Sequence, residues 1–326
     1  MGQLGSGSPS RPLAHKVAFF MAGRNCAGAA GRGICAARLF WAAMLESEAG
    51  TRFDGVVPGV PGASIRQVET LPAQLAGGTL IGPYTEAAPG ALLFEVPGIA
   101  RYLIRDGQSI EVEVAADADP AAVELFLHSS ARATLIHQRG ELPLNAATLL
   151  TPGFRCVAIC GPSTFGKSTL AAELCRRGWA LVADDITRVS WNGTMAVAWP
   201  SSNRLKLWRD ACERNGLDVL SLQRVRRGIE KYYVPVSAAK APAALAIVVR
   251  FRVKEEVDIV HLPPDAGASV LSEGSFRPRY ISPLGRREEH ERMIRLVSRS
   301  CRAVTLDGAR KCTIEALADR LEKEAR

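Results

Sequence analysis

The residues best suited to chemistry lie in the loop at 161–168, which matches the phosphate-binding pattern G-x-x-x-x-G-K-[ST]. Gly161 and Gly166 allow backbone conformations that a Cβ would block, so successive N–H groups can form an anion-binding nest. Lys167 would reach the β- and γ-phosphates, and Ser168 would offer its hydroxyl to Mg²⁺. The alternative is a glycine-rich turn that binds no ligand. The candidate nucleotide-binding residues are Gly161, Pro162, Ser163, Thr164, Phe165, Gly166, Lys167, Ser168 and Thr169.

Two carboxylates, Asp184 and Asp185, follow the strand-like run 179–183. The run 154–160, the helix expected at 167–177 and this second run would form one right-handed β–α–β unit with parallel strands. The carboxyl end of the second strand would then lie on the same sheet edge as the phosphate loop. One carboxylate would hold Mg²⁺ and the other would accept a hydroxyl proton. The alternative is a solvated turn or a helix cap.

Before the loop, residues 51–130 have the pattern of a small β-rich domain that ends in a helix. Asp106-Gly107 is a strong hairpin signal, and Asp119-Pro120 opens the helix, because proline suits a first helical turn. Short β-like runs lie at 64–68, 79–81, 92–96, 101–104 and 109–114.

Residues 131–326 alternate strand-like and helix-like segments, which is typical of α/β packing. Leu205 and Trp208 are expected in its core. Lys231 would either contact a phosphate or lie in a solvated loop.

Residues 1–45 contain no Asp or Glu, which leaves two interpretations of the segment 1–50. It is either a targeting segment or a disordered extension included by mis-annotation, with translation starting at Met21 or Met44. We favour the extension, because no clean cleavage site follows the short apolar run.

The composition of the 326 residues, 47% hydrophobic and 23% charged, is ordinary for a soluble globular protein. The net charge is +8, and residues 201–302 account for it with twenty Lys and Arg against twelve Asp and Glu. Such a surface attracts acidic partners, and an acidic small molecule or peptide is favoured over nucleic acid. The eight cysteines include no C-x-x-C pair, which indicates reduced thiols and a cytoplasmic location.

The phosphate loop, the helix after it and the sequence R-G-W-A-L-V-A-D-D at 177–185 resemble the catalytic domain of HPr kinase/phosphorylase. That family has G-x-S-G-x-G-K-S, a helix and R-G-x-x-L-V-A-D-D. The resemblance is strongest over about 150–190 and extends from about 130 to the end. Within this family, the chain more closely resembles the diverged HPr serine kinase-like proteins of peptide-biosynthesis clusters, including lasso-peptide precursor kinases. The segments similar to that branch are V-P-G-I-A-R-Y-L at 96–103, H-Q-R-G at 137–140, L-P-L at 142–144 and R-L-K-L-W at 204–208.

This resemblance implies an α/β fold, a P-loop kinase domain of the type shared with phosphoenolpyruvate carboxykinase, at residues 131–326. It implies ATP and Mg²⁺ as cofactors. Asp184 would accept the proton of a serine hydroxyl, Asp185 and Ser168 would hold the metal, and Lys167 would complete the catalytic set.

The chain departs from that pattern at Asn145, where relatives carry a histidine near the transferred phosphate. Asparagine forms hydrogen bonds but does not exchange a proton. Thr164 and Phe165 also replace small residues, and the glutamate-bearing signature of the bifunctional enzymes is not evident. Neither phosphorylase activity nor HPr as substrate is therefore expected.

The leading hypothesis is an ATP- and Mg²⁺-dependent kinase that phosphorylates a serine of a peptide or protein. It would serve peptide natural-product biosynthesis or the regulation of carbohydrate metabolism. The alternatives are a nucleotide-binding regulator with little catalysis and a small-molecule kinase. The expected partners are nucleotide and acceptor, without nucleic acid or membrane, and a homo-oligomer is left open.

Overall fold

The computed structural model describes residues 53–162, 166–254, 256, 258–309 and 312–326. The extension expected at 1–50 lies outside these residues, as do Ser163, Thr164 and Phe165 of the phosphate loop. Residues 52–326 group into one unit. None of the described helices is both long enough and apolar enough to cross a membrane.

A sheet of seven strands, in the order β1-β2-β7-β6-β5-β4-β3, is built from residues 55–114. Asp106 and Gly107 join its strands β6 and β7 with φ values of 52° and 66°, and a turn with two positive φ angles matches the strand twist. The predicted hairpin is therefore confirmed. The strands are β1 (Gly55–Val56), β2 (Ser64–Gln67), β3 (Thr79–Gly82), β4 (Thr85–Ala88), β5 (Ala91–Val96), β6 (Ala100–Arg105) and β7 (Ser109–Val114).

A helical segment follows, as predicted, and Asp119 caps it by accepting a hydrogen bond from the Ala121 N–H. It comprises α1 (Pro120–Phe126), a π-turn (Leu127–Ala131) and α2 (Arg132–Gln138). The buried side chains of Val123 and Leu127 pack with the first sheet, and the Tyr102 hydroxyl donates to the Val123 carbonyl over 2.9 Å. The segment thereby links the first sheet to the second.

The second sheet runs in the order β10-β8-β11-β12-β15-β17-β16, and β9 pairs with both β8 and β15. Its strands β9, β15 and β17 are parallel to one another. The strands are β8 (Leu142–Leu150), β9 (Cys156–Cys160), β10 (Ala180–Ala183), β11 (Ile186–Trp191), β12 (Ala196–Trp199), β15 (Ala243–Lys254), β16 (Asp258–Leu262) and β17 (Arg302–Ala309).

Helices cover both faces of this sheet, so the mixed α/β class expected from the sequence is confirmed. On β9, Val157 and Ile159 pack towards α3 (Lys167–Arg176) and α7 (Ile314–Glu324). Ala158 lies on the opposite face, with α5 (Pro264–Gly274) and α6 (Arg287–Ser300). Since β9 is buried on both sides, the phosphate loop that follows it starts from a rigid position.

The predicted β–α–β unit differs from the structure in one respect, because β8 lies between β9 and β10 and is antiparallel to both. Strands β9 and β10 therefore run in the same direction without pairing. Their carboxyl ends still lie at the same edge, as the prediction required.

A separate two-stranded ribbon contains β13 (Arg204–Trp208) and β14 (Lys231–Pro235), with α4 (Arg209–Arg214) following β13. Leu205 of the ribbon is buried, as expected. The expectation for Trp208 was wrong, because 49% of this residue is exposed. With side chains alternating along a strand, Trp208 shares a face with Lys206 rather than with Leu205 and Leu207.

Candidate functional site

The phosphate loop connects β9 to α3, and its glycines meet the conformational demands expected of them. Gly161 has φ 152°, and a Cβ there would lie 2.7 Å from the Phe251 carbonyl oxygen. Gly166 has φ 88°, a left-handed value, and stands at the N-cap of α3. Lys167, Ser168 and Thr169 then form the first turn of α3, where the N–H groups and the helix dipole favour an anion.

Lys167 is buried, and its Nζ donates a hydrogen bond to the Gly161 carbonyl oxygen over 2.6 Å. Burial lowers the pKa of Lys167, while Asp185 and Asp184 oppose that shift. Its ammonium group lies within 4.0 Å of no carboxylate in the described part of the chain. The charge of Lys167 is therefore free to meet a phosphate.

Asp184, the residue directly after β10, is buried and lies between the phosphate loop and the ribbon. Its Oδ1 accepts a hydrogen bond from Ser168 Oγ at 3.2 Å, and its Oδ2 accepts one from the Lys206 N–H at 2.9 Å. Burial, and then the charge of Asp185, raise the pKa of Asp184 to about 6. Such a carboxylate is a better proton acceptor near neutral pH than an ordinary aspartate.

Asp185 occupies the left-handed region, with φ 68°, and turns its carboxylate towards the ribbon. Its Oδ2 accepts a hydrogen bond from Lys206 Nζ at 2.6 Å. Burial alone would raise the pKa of Asp185, but Lys206 and Lys231 outweigh it and hold the pKa below its usual value. The pKa values of the two neighbouring carboxylates are thus shifted in opposite directions, and such a pair can divide the roles of proton acceptor and permanently ionised group.

Lys206 is a site residue that sequence reasoning missed. Its backbone N–H binds Asp184 and its Nζ binds Asp185, so this one residue fixes both carboxylates. Burial would lower the pKa of Lys206, but the two aspartates raise it. The signal in the sequence was the alternation R-L-K-L-W, which places Lys206 on the face opposite two buried leucines.

Asn145 and Arg132 complete the surroundings of the aspartates. Asn145 on β8 pairs with Ile186, the residue after Asp185, and its side chain forms no hydrogen bond within the described residues. The buried guanidinium of Arg132 donates to the Ile186 carbonyl over 2.7 Å. Burial lowers the pKa of Arg132 to about 10, and Asp185 opposes the shift.

The oxygen groups of Ser168, Asp184 and Asp185 are the hard ligands that Mg²⁺ prefers. No cluster of three or more His, Cys, Asp or Glu side chains suited to a metal occurs in the described residues. Mg²⁺ commonly binds through one or two carboxylates together with waters and substrate phosphates, so a site without such a cluster still fits it. A third of the Asp185 side chain is exposed, which leaves it accessible to a metal.

No protein-family model matches this chain, and no curated protein matches it. Among solved structures, it is similar to the HPr(Ser) kinase/phosphatase from Coxiella burnetii. The two are 11% identical, the match covers 56% of this chain and 95% of that chain, and the TM-score is 0.30. This likeness is distant and carries no argument about activity.

We expect Gly161→Ala to weaken nucleotide binding by at least about tenfold and to destabilise the fold by roughly 1–3 kcal/mol. The added Cβ would lie 2.7 Å from a backbone oxygen, which cannot move aside as a flexible side chain would. Calorimetric titration with ATP and thermal unfolding would measure both effects. Gly153→Ala is the matched control, because its Cβ would meet only Thr151 Oγ1 at 3.7 Å. Equal ATP affinity in the two variants would contradict the role assigned to Gly161.

Proposed function

We propose that this chain is an ATP- and Mg²⁺-dependent kinase that transfers the γ-phosphate to a serine hydroxyl of a peptide or protein. The observation that supports it best is the contact from Ser168 to Asp184. It connects the hydroxyl of the phosphate loop directly to the more basic of two paired carboxylates. A carboxylate with a raised pKa at that place can accept the proton of an attacking hydroxyl.

In this proposal the nest of the phosphate loop and Lys167 bind the β- and γ-phosphates. Ser168 and Asp185 would hold Mg²⁺, which would supply charge neutralisation at the phosphates. Asp184 accepts the proton of the serine hydroxyl as that oxygen bonds to the γ-phosphorus. The bond from this phosphorus to the β–γ bridging oxygen breaks, and ADP leaves. Lys206 positions both carboxylates. The domain is of the HPr kinase and phosphoenolpyruvate carboxykinase type, and the protein acts in the cytoplasm.

A nucleotide-binding regulator with little catalysis is the second candidate. It is favoured by Asn145, which stands beside the aspartates without a side-chain hydrogen bond. An asparagine there cannot exchange a proton with the transferred phosphate. A small-molecule kinase would use the same catalytic groups on a different acceptor.

The proposal is tested by incubating the purified protein with γ-labelled ATP, Mg²⁺ and a panel of serine-containing peptides. We expect label on serine with the wild-type protein, and none above background with Lys167→Ala or with Mg²⁺ chelated. Lys167→Ala removes the cation nearest the phosphates, and chelation removes the charge neutralisation. Mass spectrometry would identify the modified residue.

The control is a peptide panel with each serine replaced by alanine. Label transferred to a small hydroxylated metabolite but to no peptide would favour the small-molecule kinase. Tight ATP binding without transfer to any acceptor would reject the kinase and leave the regulator.

A further inference from the structure

The outer face of the β13–β14 ribbon carries two cations, Arg204 and Lys231, to which the proposed transfer assigns no role. Leu205, Leu207, Tyr232 and Val234 point inwards and are buried in the core. The alternate residues therefore share the other face, and the pairing aligns Lys206 with Tyr233 and Trp208 with Lys231. We call the set Arg204, Lys206, Trp208, Lys231 and Tyr233 the cationic face.

Two cations on this face form no ion pair with any described residue. In the part of the chain that the structure describes, no carboxylate lies within 4.0 Å of Arg204 or Lys231. The Arg204 guanidinium lies 4.2 Å from the centre of the Tyr233 ring, and Lys231 Nζ lies 5.7 Å from that of Trp208. Arg204 also donates a hydrogen bond to Gln223 Oε1 over 3.1 Å. The rings and this amide hold the two cations in place, while Glu124 acts on Arg204 and Asp185 acts on Lys231 only from beyond ion-pair distance.

Neighbouring arginines on α4 and in the loop before β14 behave differently. Arg209 and Arg224 both form ion pairs with Glu230, and Arg214 pairs with Asp210. Acidic partners are thus available in this region. None of them lies within 4.0 Å of Arg204 or Lys231.

The cationic face begins where the acceptor hydroxyl must be. Asp184 contacts the phosphate loop through one carboxylate oxygen and the ribbon through the other. Lys206 forms the ion pair with Asp185. An acceptor whose hydroxyl reaches Asp184 from the ribbon side therefore passes over the cationic face.

The spacing fits an extended peptide. Side chains on one face of a strand repeat about every 6.6 Å. Arg204 is one repeat from Lys206 on one side, and the Trp208–Lys231 pair is one repeat away on the other. An extended peptide has the same repeat, so its residues two before and two after the serine would meet these cations.

We propose that the cationic face binds an acidic peptide acceptor, with Arg204 and Lys231 contacting carboxylates two residues before and two residues after its serine. This inference rests on the proposed kinase for the place of the serine. The occupant is argued from charge complementarity, because two cations that form no ion pair attract anions along the approach to Asp184.

The test measures binding separately from transfer. Fluorescent peptides with alanine in place of the serine carry either Asp or Asn at the two flanking positions, and anisotropy gives their affinities with Mg²⁺ and a non-hydrolysable ATP analogue present. We expect the Asp peptide to bind about tenfold more tightly, as two partly exposed charge pairs would give. Arg204→Gln should reduce the preference to about threefold, and Arg204→Lys should retain most of it.

Arg214→Gln is the matched control, because it also removes one arginine charge but from the Asp210 pair on α4. The Arg214→Gln variant should prefer the Asp peptide over the Asn peptide by the same factor as the wild-type protein. Nucleotide affinity, which the phosphate loop provides, shows that each variant is folded. Equal binding of the Asp and Asn peptides, or a preference that Arg204→Gln leaves intact, would overturn the inference.

Two further outcomes keep this inference distinct from the proposed kinase. Transfer to serine with equal rates for acidic and neutral peptides would keep the kinase and reject the acidic acceptor. Acidic-peptide binding without transfer would keep the docking face and reject the kinase. A single-stranded oligonucleotide that displaces the Asp peptide at equal concentration would reassign the face to nucleic acid.

Discussion

Asp184→Asn is expected to slow phosphoryl transfer by roughly 10²- to 10⁴-fold, the range for loss of a general base. Nucleotide affinity should stay within about threefold of wild type, because the loop and Lys167 are intact. The asparagine side chain keeps the local contacts. It can accept from the Lys206 N–H and donate to Ser168 Oγ. Single-turnover transfer from γ-labelled ATP and calorimetric ATP binding would measure the two quantities.

The same change is expected to stabilise the protein without nucleotide at pH 7. Burial raises the pKa of Asp184 from 3.8 to about 6. A raised pKa means that the folded state favours the protonated carboxyl, so this contribution to stability is complete below pH 4 and is lost as the pH rises through 6. Replacing the carboxylate with a neutral amide should therefore add roughly 1–3 kcal/mol at pH 7, or a few degrees in Tm.

The stability difference between Asp184→Asn and wild type should shrink as the pH falls from 7 to 4. Thermal unfolding at several pH values would follow it. Asp210→Asn is the control, because Asp210 lies in the exposed ion pair with Arg214 and its replacement should change Tm very little. A lower Tm for Asp184→Asn at pH 7 would show that the ionised carboxylate stabilises this site, which would contradict a raised pKa for Asp184.

Local signals in the sequence were sufficient for the left-handed glycine at the start of α3 and for the turn at Asp106-Gly107. The glycines at 161 and 166, the lysine after them and the helix at α3 follow from short-range chemistry. The aspartate pair could be placed at the correct sheet edge for the same reason, since its strand runs parallel to β9. These features depend on residues close together in the chain.

Features that depend on distant residues could not be read in the same way. The run 142–150 is mostly apolar, and such a pattern does not reveal which strands it pairs with, so β8 was not expected between β9 and β10. The contact between Lys206 and Asp185 joins residues 21 positions apart. No local pattern says which carboxylate a lysine in a short strand will meet.

Trp208 shows a different limit. A large aromatic residue after two leucines was expected in the core, but period-two alternation places it on the outer face with Lys206. That expectation considered the hydrophobicity of the Trp208 side chain and not its position in the alternating pattern of the strand. Because of this error the cationic face was not predicted. A buried Trp208 could not have placed its ring next to Lys231 on the outer face of the ribbon.

Lys206→Met is expected to reduce transfer by roughly 10²- to 10³-fold and to destabilise the protein by about 1–3 kcal/mol at pH 7. The change leaves the carboxylate of Asp185 without its ion-pair partner, next to Asp184. The loss of stability is smaller than for a fully buried ion pair, because a third of the Asp185 side chain is exposed to solvent. Urea unfolding at pH 7 and transfer kinetics at saturating ATP would measure the two effects.

The pH dependence separates this electrostatic role from simple packing. Lys206 holds the pKa of Asp185 below its usual value, so that carboxylate stabilises the fold above the ordinary aspartate range. This contribution is lost as the pH falls and Asp185 becomes protonated. The loss in free energy of unfolding caused by Lys206→Met should therefore be largest at pH 7 and should become smaller below pH 4. A loss caused by poorer packing would be the same at both pH values. Lys240→Met, at an exposed lysine that forms no described ion pair, is the control and should match wild type throughout. A deficit that does not change with pH would assign Lys206 a packing role and remove it from the catalytic electrostatics.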